Sequence, residues 1–272
     1  MIDKARTFIL GLFTTPPAPV DLRDADRHGP TCDEARALAA PLPAWSPRGL
    51  YWAAYRANLK LGGLMAAGVR LGHATGFDSG STLDYVYRNT PTGIGPLAAV
   101  GRLADRQYLD AIGWRGIRQR KRHLEELLEL AMGALEAEGR PVRILDPAAG
   151  HGRYVLDALH RRAPAPESVL LRDFLPANVT QGQALIRARG LEGVARFEQG
   201  DAFDRDALAA IAPQPSLAVV SGLYELFPDN GAVARSLAGL ADAVEAGGYL
   251  IYTGQPWHPQ LELIARALTS HR

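Results

Sequence analysis

The sequence predicts a doubly wound α/β domain preceded by a mainly helical N-terminal region. Three observations carry this expectation. After about residue 140, short apolar runs alternate with helical patterns five times, the signature of parallel strands joined by crossover helices. The first three runs end on acids, Asp146, Asp173 and Asp201. The first run also passes directly into a small glycine-containing turn, DPAAGHG, and then into a helix.

Composition narrows the function classes. The 272 residues suffice for one large or two modest domains with a substantial core. A formal net charge of +1 supplies no global field toward nucleic acid or acidic lipid. Cys32 is the sole cysteine, so an intrachain disulfide and a Cys-rich zinc site are excluded, no metal is expected, and a reducing cytoplasm is the expected location. The apolar run Ile9 to Phe13 is too brief for a signal peptide, and no stretch reaches the roughly 18 apolar residues of a membrane span.

Residues 1–48 read as a proline-rich arm or linker, because Pro16, Pro17, Pro19, Pro30, Pro41, Pro43 and Pro47 interrupt any long helix or central strand. Residues 49–139 read as a helical cap region. From Leu50 to Leu71, Tyr51, Tyr55, Leu59, Leu64, Met65 and Val69 recur at helical spacing; a core helix is expected, with an interfacial helix making peripheral contact with lipid as the alternative. FDSGST is turn chemistry, with Ser81 or Thr82 the expected N-cap of LDYVY. Tyr85, Tyr87, Arg88 and Asn89 then form an aromatic and polar group that could face a substrate. From Ala98 to Glu138 one long helical stretch is expected, bent near Gly113 to Gly116, with Ile117, Leu124, Leu127, Leu128, Ala131 and Leu135 as its apolar stripe. Its early basic residues make either a solvated face or a surface for an anionic partner.

Residues 140–272 read as the α/β domain. Val142, Ile144 and Leu145 form the first strand, Asp146 to Arg153 the turn, and Tyr154 to Leu159 the next helix. Gly150 and Gly152 can take positive φ, and the helix start directs unpaired N–H groups at whatever lies above the turn, an arrangement suited to a nucleotide-like ligand. A dinucleotide-binding turn carries GxGxxG directly after the strand. Here Asp146 comes first, which suits a ligand with a cationic or hydroxyl-rich part better than a pyrophosphate. Val169 to Leu171 form a second strand ending at Asp173, where such folds place a carboxylate for ribose hydroxyls. A third strand closes on Gly200, Asp201, Ala202 and Phe203. The fourth, Leu217 to Val220, delivers Ser221, Gly222, Leu223, Tyr224 and Glu225. Ligands bind outside the carboxyl ends of parallel strands, so Tyr224 and Glu225 are candidate catalytic residues. A fifth strand, in YLIYTGQPWHP, runs into a loop with His258; His258 and His151 are candidate bases.

The turn DPAAGHG resembles motif I of the class I S-adenosylmethionine (SAM) dependent methyltransferases, D/E-x-G-x-G-x-G, with Ala148 at the first glycine. The wording DPAAGHGRYVLDAL, QGDAFD, SGLYELFPDN and YTGQPWHPQLELIARALTSHR, with GFDSGSTLDYVYRN and WRGIRQRKRHLEELL upstream, is similar to a bacterial methyltransferase family whose members are sometimes fused to an α/β-hydrolase domain. The resemblance implies a Rossmann-like sheet and SAM as cofactor. It places Asp146, Ala148, Gly150, Gly152, Asp173, Asp201, Ala202, Phe203 and Ser221 around SAM, with Asp201 accepting from the adenine amino group. Tyr224, Glu225, Tyr87, Arg88 and His258 then fall on the substrate side.

The expected reaction is methyl transfer to a small or lipid-like acceptor; a lyase-type use of SAM, or a sensor or scaffold without turnover, are the alternatives. Methylation of a nucleic-acid base is disfavoured, since the fourth strand ends in SGLY where base-flipping enzymes of this class carry Asn/Asp-Pro-Pro-aromatic. A homo-oligomer remains open. A complete class I sheet has sixth and seventh strands, which have no counterpart before Arg272. The fifth strand is therefore expected at a sheet edge, or covered by N-terminal helices.

Overall fold

Among the described residues, five parallel strands form one sheet in the order β3-β2-β1-β4-β5: β1 (Arg143–Asp146), β2 (Ser168–Asp173), β3 (Ala195–Gln199), β4 (Leu217–Val220) and β5 (Tyr249–Tyr252). Ile144 pairs with Val169 on one side and Leu217 on the other, which makes β1 the centre of the sheet. Among the described residues β5 pairs with β4 alone and stands at the sheet edge, one of the two positions expected for it. The computed structural model describes residues 37–38, 40–160, 162–227, 230–255 and 258–268; most of the expected arm 1–48, with Cys32, lies outside them.

Both faces of the sheet are covered at its centre, so the middle strands are apolar on both sides, whereas β3 exposes Arg196 and Glu198. Ile144, Val169, Leu171, Leu217 and Val219 enter one core with Leu124, Leu128 and Leu156, while Leu145, Leu170, Ala218 and Val220 enter the other with Leu208 and Leu240. The alternation follows from the period of two along a strand. Each fully buried leucine here contributes about 1.5–3 kcal/mol relative to exposure.

The chain forms two compact units that interleave in sequence, whereas the sequence suggested cuts near 48 and 139. Among the described residues, the first comprises those of 37–74, 90–116 and 255–268, and the second those of 75–89 and 117–254. In the first unit lie α1 (Pro47–Gly62), α2 (Ala67–Thr75, whose last residue begins the second unit), α4 (Ala98–Leu109) and α10 (Leu261–Ala267). Ser46 caps α1 by accepting from the Gly49 N–H at 3.0 Å, with Pro47 at the first helical position. The expected continuous helix to Leu71 is interrupted by a turn at residues 63–66, where Ala66 makes an isolated bridge with Gly93. Buried Asp105 ties this region together, accepting from the N–H groups of Gly68 (2.7 Å) and Thr92 (2.9 Å). Glu262 on α10 accepts from Arg48 Nε at 2.9 Å and Trp52 Nε1 at 3.3 Å.

In the second unit, α3 (Gly80–Arg88) is capped by Ser79, two residues earlier than expected, because the Ser79 hydroxyl accepts from the Thr82 N–H. α5 (Ile112–Ala137) begins in the first unit and runs into the second. The expected bend near Gly113 to Gly116 is instead a full break at Asp110–Ala111, between α4 and α5, and both glycines are helical. Gly113 packs close to the residues before α10: a Cβ there would sit 2.9 Å from Gln260 Oε1 and from His258 Nε2, so those side chains would have to shift. The buried stripe of α5 is Leu124, Leu128, Ala131, Met132 and Leu135, while Leu127 is 46% exposed. The remaining helices are α6 (Arg153–His160), α7 (Pro176–Arg189), α8 (Arg205–Ala209) and α9 (Asn230–Ala243). No helix among the described residues is long and apolar enough to cross a membrane.

Candidate functional site

β1 is flanked by β2 on one side and β4 on the other, so chain connections diverge at its carboxyl end and leave a crevice there. A cavity of about 520 Å³ occupies that crevice, and all its walls belong to the second unit. They are the turn after β1, the ends of β2, β3 and β4, and the first turns of α3.

The floor is the DPAAGHG turn. Asp146 is completely buried beneath it and accepts from the Ala148 N–H at 3.1 Å and from the Tyr154 hydroxyl. Burial pushes the Asp146 carboxyl up to about 7; those two hydrogen bonds oppose the rise and the charge of Asp173 adds to it. Gly150 has φ of +60° and donates its N–H to Asp173 Oδ2 at 2.9 Å. Its surface touches α3 so closely that a Cβ on Gly80 would sit 2.8 Å from the Gly150 Cα. Gly152 has φ of +72° and does not line the cavity; a Cβ there would meet Leu171 Cδ1 at 2.5 Å, so this glycine serves helix-to-strand packing.

Asp173 stands at the end of β2 with Oδ1 accepting from the Leu175 N–H and from Asn178 Nδ2, both at 2.9 Å. With Gly150 included, three donors fix its carboxylate in the wall. Asp201, after β3, is exposed and accepts from the Phe203 N–H at 2.8 Å. Ala202 lies beside it, and the Phe203 ring meets Phe227 edge-to-face at 4.9 Å between centroids, leaving aromatic surface in the wall. Ser221 lines the cavity at the end of β4, and its buried Oγ has no hydrogen-bond partner among the described residues. Ala148 and Tyr87 also line it. The charged lining is unbalanced: Asp78, Asp84, Asp173 and Asp201 face a single guanidinium, Arg153, which is itself held by Asp84 at 2.6 Å.

The other expected residues lie elsewhere. Tyr224 turns into the core beside β4, its hydroxyl 2.9 Å from Ser236 Oγ, and burial raises its pKa against the effect of that bond. Glu225 accepts from Arg120 Nη1 at 2.7 Å, and its other oxygen is buried without a partner among the described residues. That pair braces the turn after β4, since a Cβ on Gly222 would meet Arg120 Nη2 at 2.7 Å. Arg88 reaches Asp84 at 3.1 Å on α3. His258 belongs to the first unit, where its Nδ1 accepts from the Gln260 N–H at 3.0 Å.

A family model described as "Putative methyltransferase" matches residues 5–272. The chain belongs to this methyltransferase family. A curated relative, "Uncharacterized protein YnbC" of Escherichia coli strain K12, is 54% identical over 271 residues, which is 99% of this chain and 46% of the relative. The chain therefore spans about half the length of that relative. Among solved structures, one described as a possible exported protein from Bordetella parapertussis is 18% identical, with 67% of this chain and 63% of that one covered, at a TM-score of 0.49. An S-adenosylmethionine-dependent methyltransferase from Clostridium acetobutylicum is 15% identical, with 46% and 48% covered, at a TM-score of 0.38.

Several lining residues of this family member went unmarked in the sequence. Asp78, Ser79 and Gly80 enter the wall because the Ser79 cap fixes how α3 starts, and FDSGST carried that signal. Asn178 follows Asp173 by one turn of chain and one turn of α7, a spacing that could have marked it. Nothing local marks Asp84 as the partner of Arg153, 69 residues away.

Proposed function

We propose that the cavity binds SAM and that the chain transfers its methyl group to a small acceptor, lipid-like ones included. Family membership supports methyl transfer. The observation that carries the cofactor assignment is the excess of carboxylates in a cavity set directly on the glycine-containing turn. A pyrophosphate would be repelled there; a ligand with a sulfonium and an ammonium is favoured.

The residues present fit such a ligand. Asp173 keeps a spare lone pair for a ribose hydroxyl, Asp201 suits the adenine amino group, and Ala202 with the Phe203 ring offers it a flat apolar wall. Ala148 and Gly150 leave room for the methionine part, and the Ser221 hydroxyl supplies an unpaired polar atom beside it. Asp146 supports the turn from below and Gly152 fixes its exit into α6. When bound, SAM supplies an electrophilic methyl group whose departure leaves a neutral thioether. The chain's part is to orient the acceptor and exclude water, for which Leu83 and Tyr87 of α3 supply the roof. Tyr224 and Glu225 act in this proposal by holding the turn after β4. A single cysteine, Cys32, suits the reducing cytoplasm as the place of action.

Calorimetry with SAM, S-adenosylhomocysteine and NADH as separate titrants tests the assignment. The expected result is micromolar binding of the first two, none of NADH, and a loss of about tenfold or more in Asp201→Ala. A folded protein that binds NADH, or none of the three, overturns it.

A further inference from the structure

We propose that His151 is a general base for this reaction, that Asp84 positions it, and that the acceptor is therefore a neutral hydroxyl compound, an alcohol or a phenol. The proposal rests on the SAM reading of the cavity. His151 sits inside the glycine-containing turn and lines the cavity. Its Nδ1 lies 3.7 Å from Asp84 Oδ2, the separation of an electrostatic contact, and its Nε2 lies 3.2 Å from Ser81 Oγ.

Asp84 is nearly buried on α3, where Arg153 Nε reaches Oδ1 at 2.6 Å and Arg88 Nε reaches Oδ2 at 3.1 Å. Burial pushes its carboxyl up, but the contacts of His151 and Arg153 outweigh that and hold it at about 2, so it is ionised at neutral pH. A carboxylate only accepts hydrogen bonds. In this proposal the imidazole nitrogen turned toward it carries the proton, which leaves the Nε2 lone pair facing Ser81. With the proton on Nδ1, Nε2 accepts from the Ser81 hydroxyl across 3.2 Å, and a substrate hydroxyl in the cavity that His151 lines replaces this donor when the Ser81 side chain turns away.

The acceptor class follows from charge. The carboxylates of the cavity disfavour an acceptor that arrives as an anion, so an oxygen nucleophile must enter neutral and lose its proton inside. In that step the acceptor O–H bond breaks, the proton passes to the Nε2 lone pair, and an oxygen electron pair forms the bond to the methyl carbon while the methyl–sulfur bond breaks and leaves its electron pair on sulfur. The imidazolium is stabilised by Asp84 and returns its proton to water after release of the methyl ether.

Three measurements on the whole chain and on His151→Gln and Asp84→Asn test this. Calorimetry with SAM is expected to give affinities within about threefold for the wild type and His151→Gln. If neither binds, the cofactor reading fails and this inference with it. If the wild type binds and His151→Gln does not, His151 serves the cofactor, and the base role is overturned while the SAM reading stands. Imidazole ¹⁵N spectra of the labelled protein at pH 8 are expected to show His151 protonated on Nδ1 in the wild type, with the Nε2–H form gaining in Asp84→Asn. An Nε2–H ring in the wild type overturns the proposal. Transfer from methyl-tritiated SAM to a series of small phenols and alcohols of graded acidity is expected to fall at least about 100-fold in His151→Gln for weakly acidic members and progressively less for the more acidic ones. No transfer to any member, or an equal loss across the series, overturns it.

Discussion

Asp173 and Asp201 are both acids at strand ends, yet their surroundings give them different duties. Asp173 accepts from Gly150, Leu175 and Asn178, so it organises the turn as well as facing the cavity. Asp201 accepts only from the nearby Phe203 N–H and is exposed. Removing the first therefore strands three donors, at a cost on the order of 1–3 kcal/mol for each that stays buried and unpaired. Asp173→Ala is expected to lower both urea-unfolding stability and SAM affinity, whereas Asp201→Ala lowers affinity and leaves the urea midpoint within experimental error. Equal stability losses in the two would mean that Asp173 does not organise the turn. Gly152 completes the contrast. Its place in motif I suggests a ligand contact, but its positive φ and the nearby Leu171 make it a packing residue.

At the level of elements, β1, β2 and β4 were legible as short apolar runs buried on both faces, whereas β3 alternates buried Ala195 and Phe197 with exposed Arg196 and Glu198. Asp173 was found by its distance from the turn, since a strand, a helix and a second strand consume a set length of chain. Helix boundaries were less legible where neighbours decide them: Ser79 rather than Ser81 caps α3, and α4 ends at Asp110 although glycines follow at 113 and 116. The use of glycine for close approach was also hidden. Gly182 on α7 lies against β3, and a Cβ there would meet the Phe197 ring at 2.2 Å. Ala is otherwise the better helix former by roughly 1 kcal/mol, so propensity alone predicts a gain from Gly182→Ala. Overpacking at such a contact costs typically 1–3 kcal/mol and is expected to win. Thermal unfolding of Gly182→Ala, and of Gly182→Ala with Phe197→Leu, checks this: the single variant should be less stable than wild type and the double variant should recover part of the loss.

Across the whole molecule, contacts join residues that no local pattern connects. Arg48 meets Glu262 and Arg153 meets Asp84, so neither the interleaved units nor the His151–Asp84 contact could be read from periodicity. The same burial that makes Asp146 a rigid floor has a consequence for the stability of the entire chain. Its carboxyl is raised to about 7 in the folded protein, well above the ordinary value near 4 that applies when unfolded. The folded state thus holds the proton where the unfolded state has released it, and the stability from this group is fully present below about pH 4 and is lost as pH rises through 7. About three units at roughly 1.4 kcal/mol each bounds the loss near 4 kcal/mol. Asp84 works in the opposite sense: held at about 2, it contributes stability above about pH 4 that is lost as pH falls through 2. The two windows are separate, so the Asp146 effect can be isolated by the difference between wild type and Asp146→Asn. Asn keeps an acceptor for the Tyr154 hydroxyl and carries no charge at any pH. The expected outcome, measured by urea unfolding between pH 5 and 8, is that wild type loses stability relative to Asp146→Asn as pH rises. Parallel curves would mean that Asp146 is ionised throughout, with a charge-stabilising partner in the turn. A convergence of the curves on adding SAM would then show the cationic ligand lowering the Asp146 pKa from above.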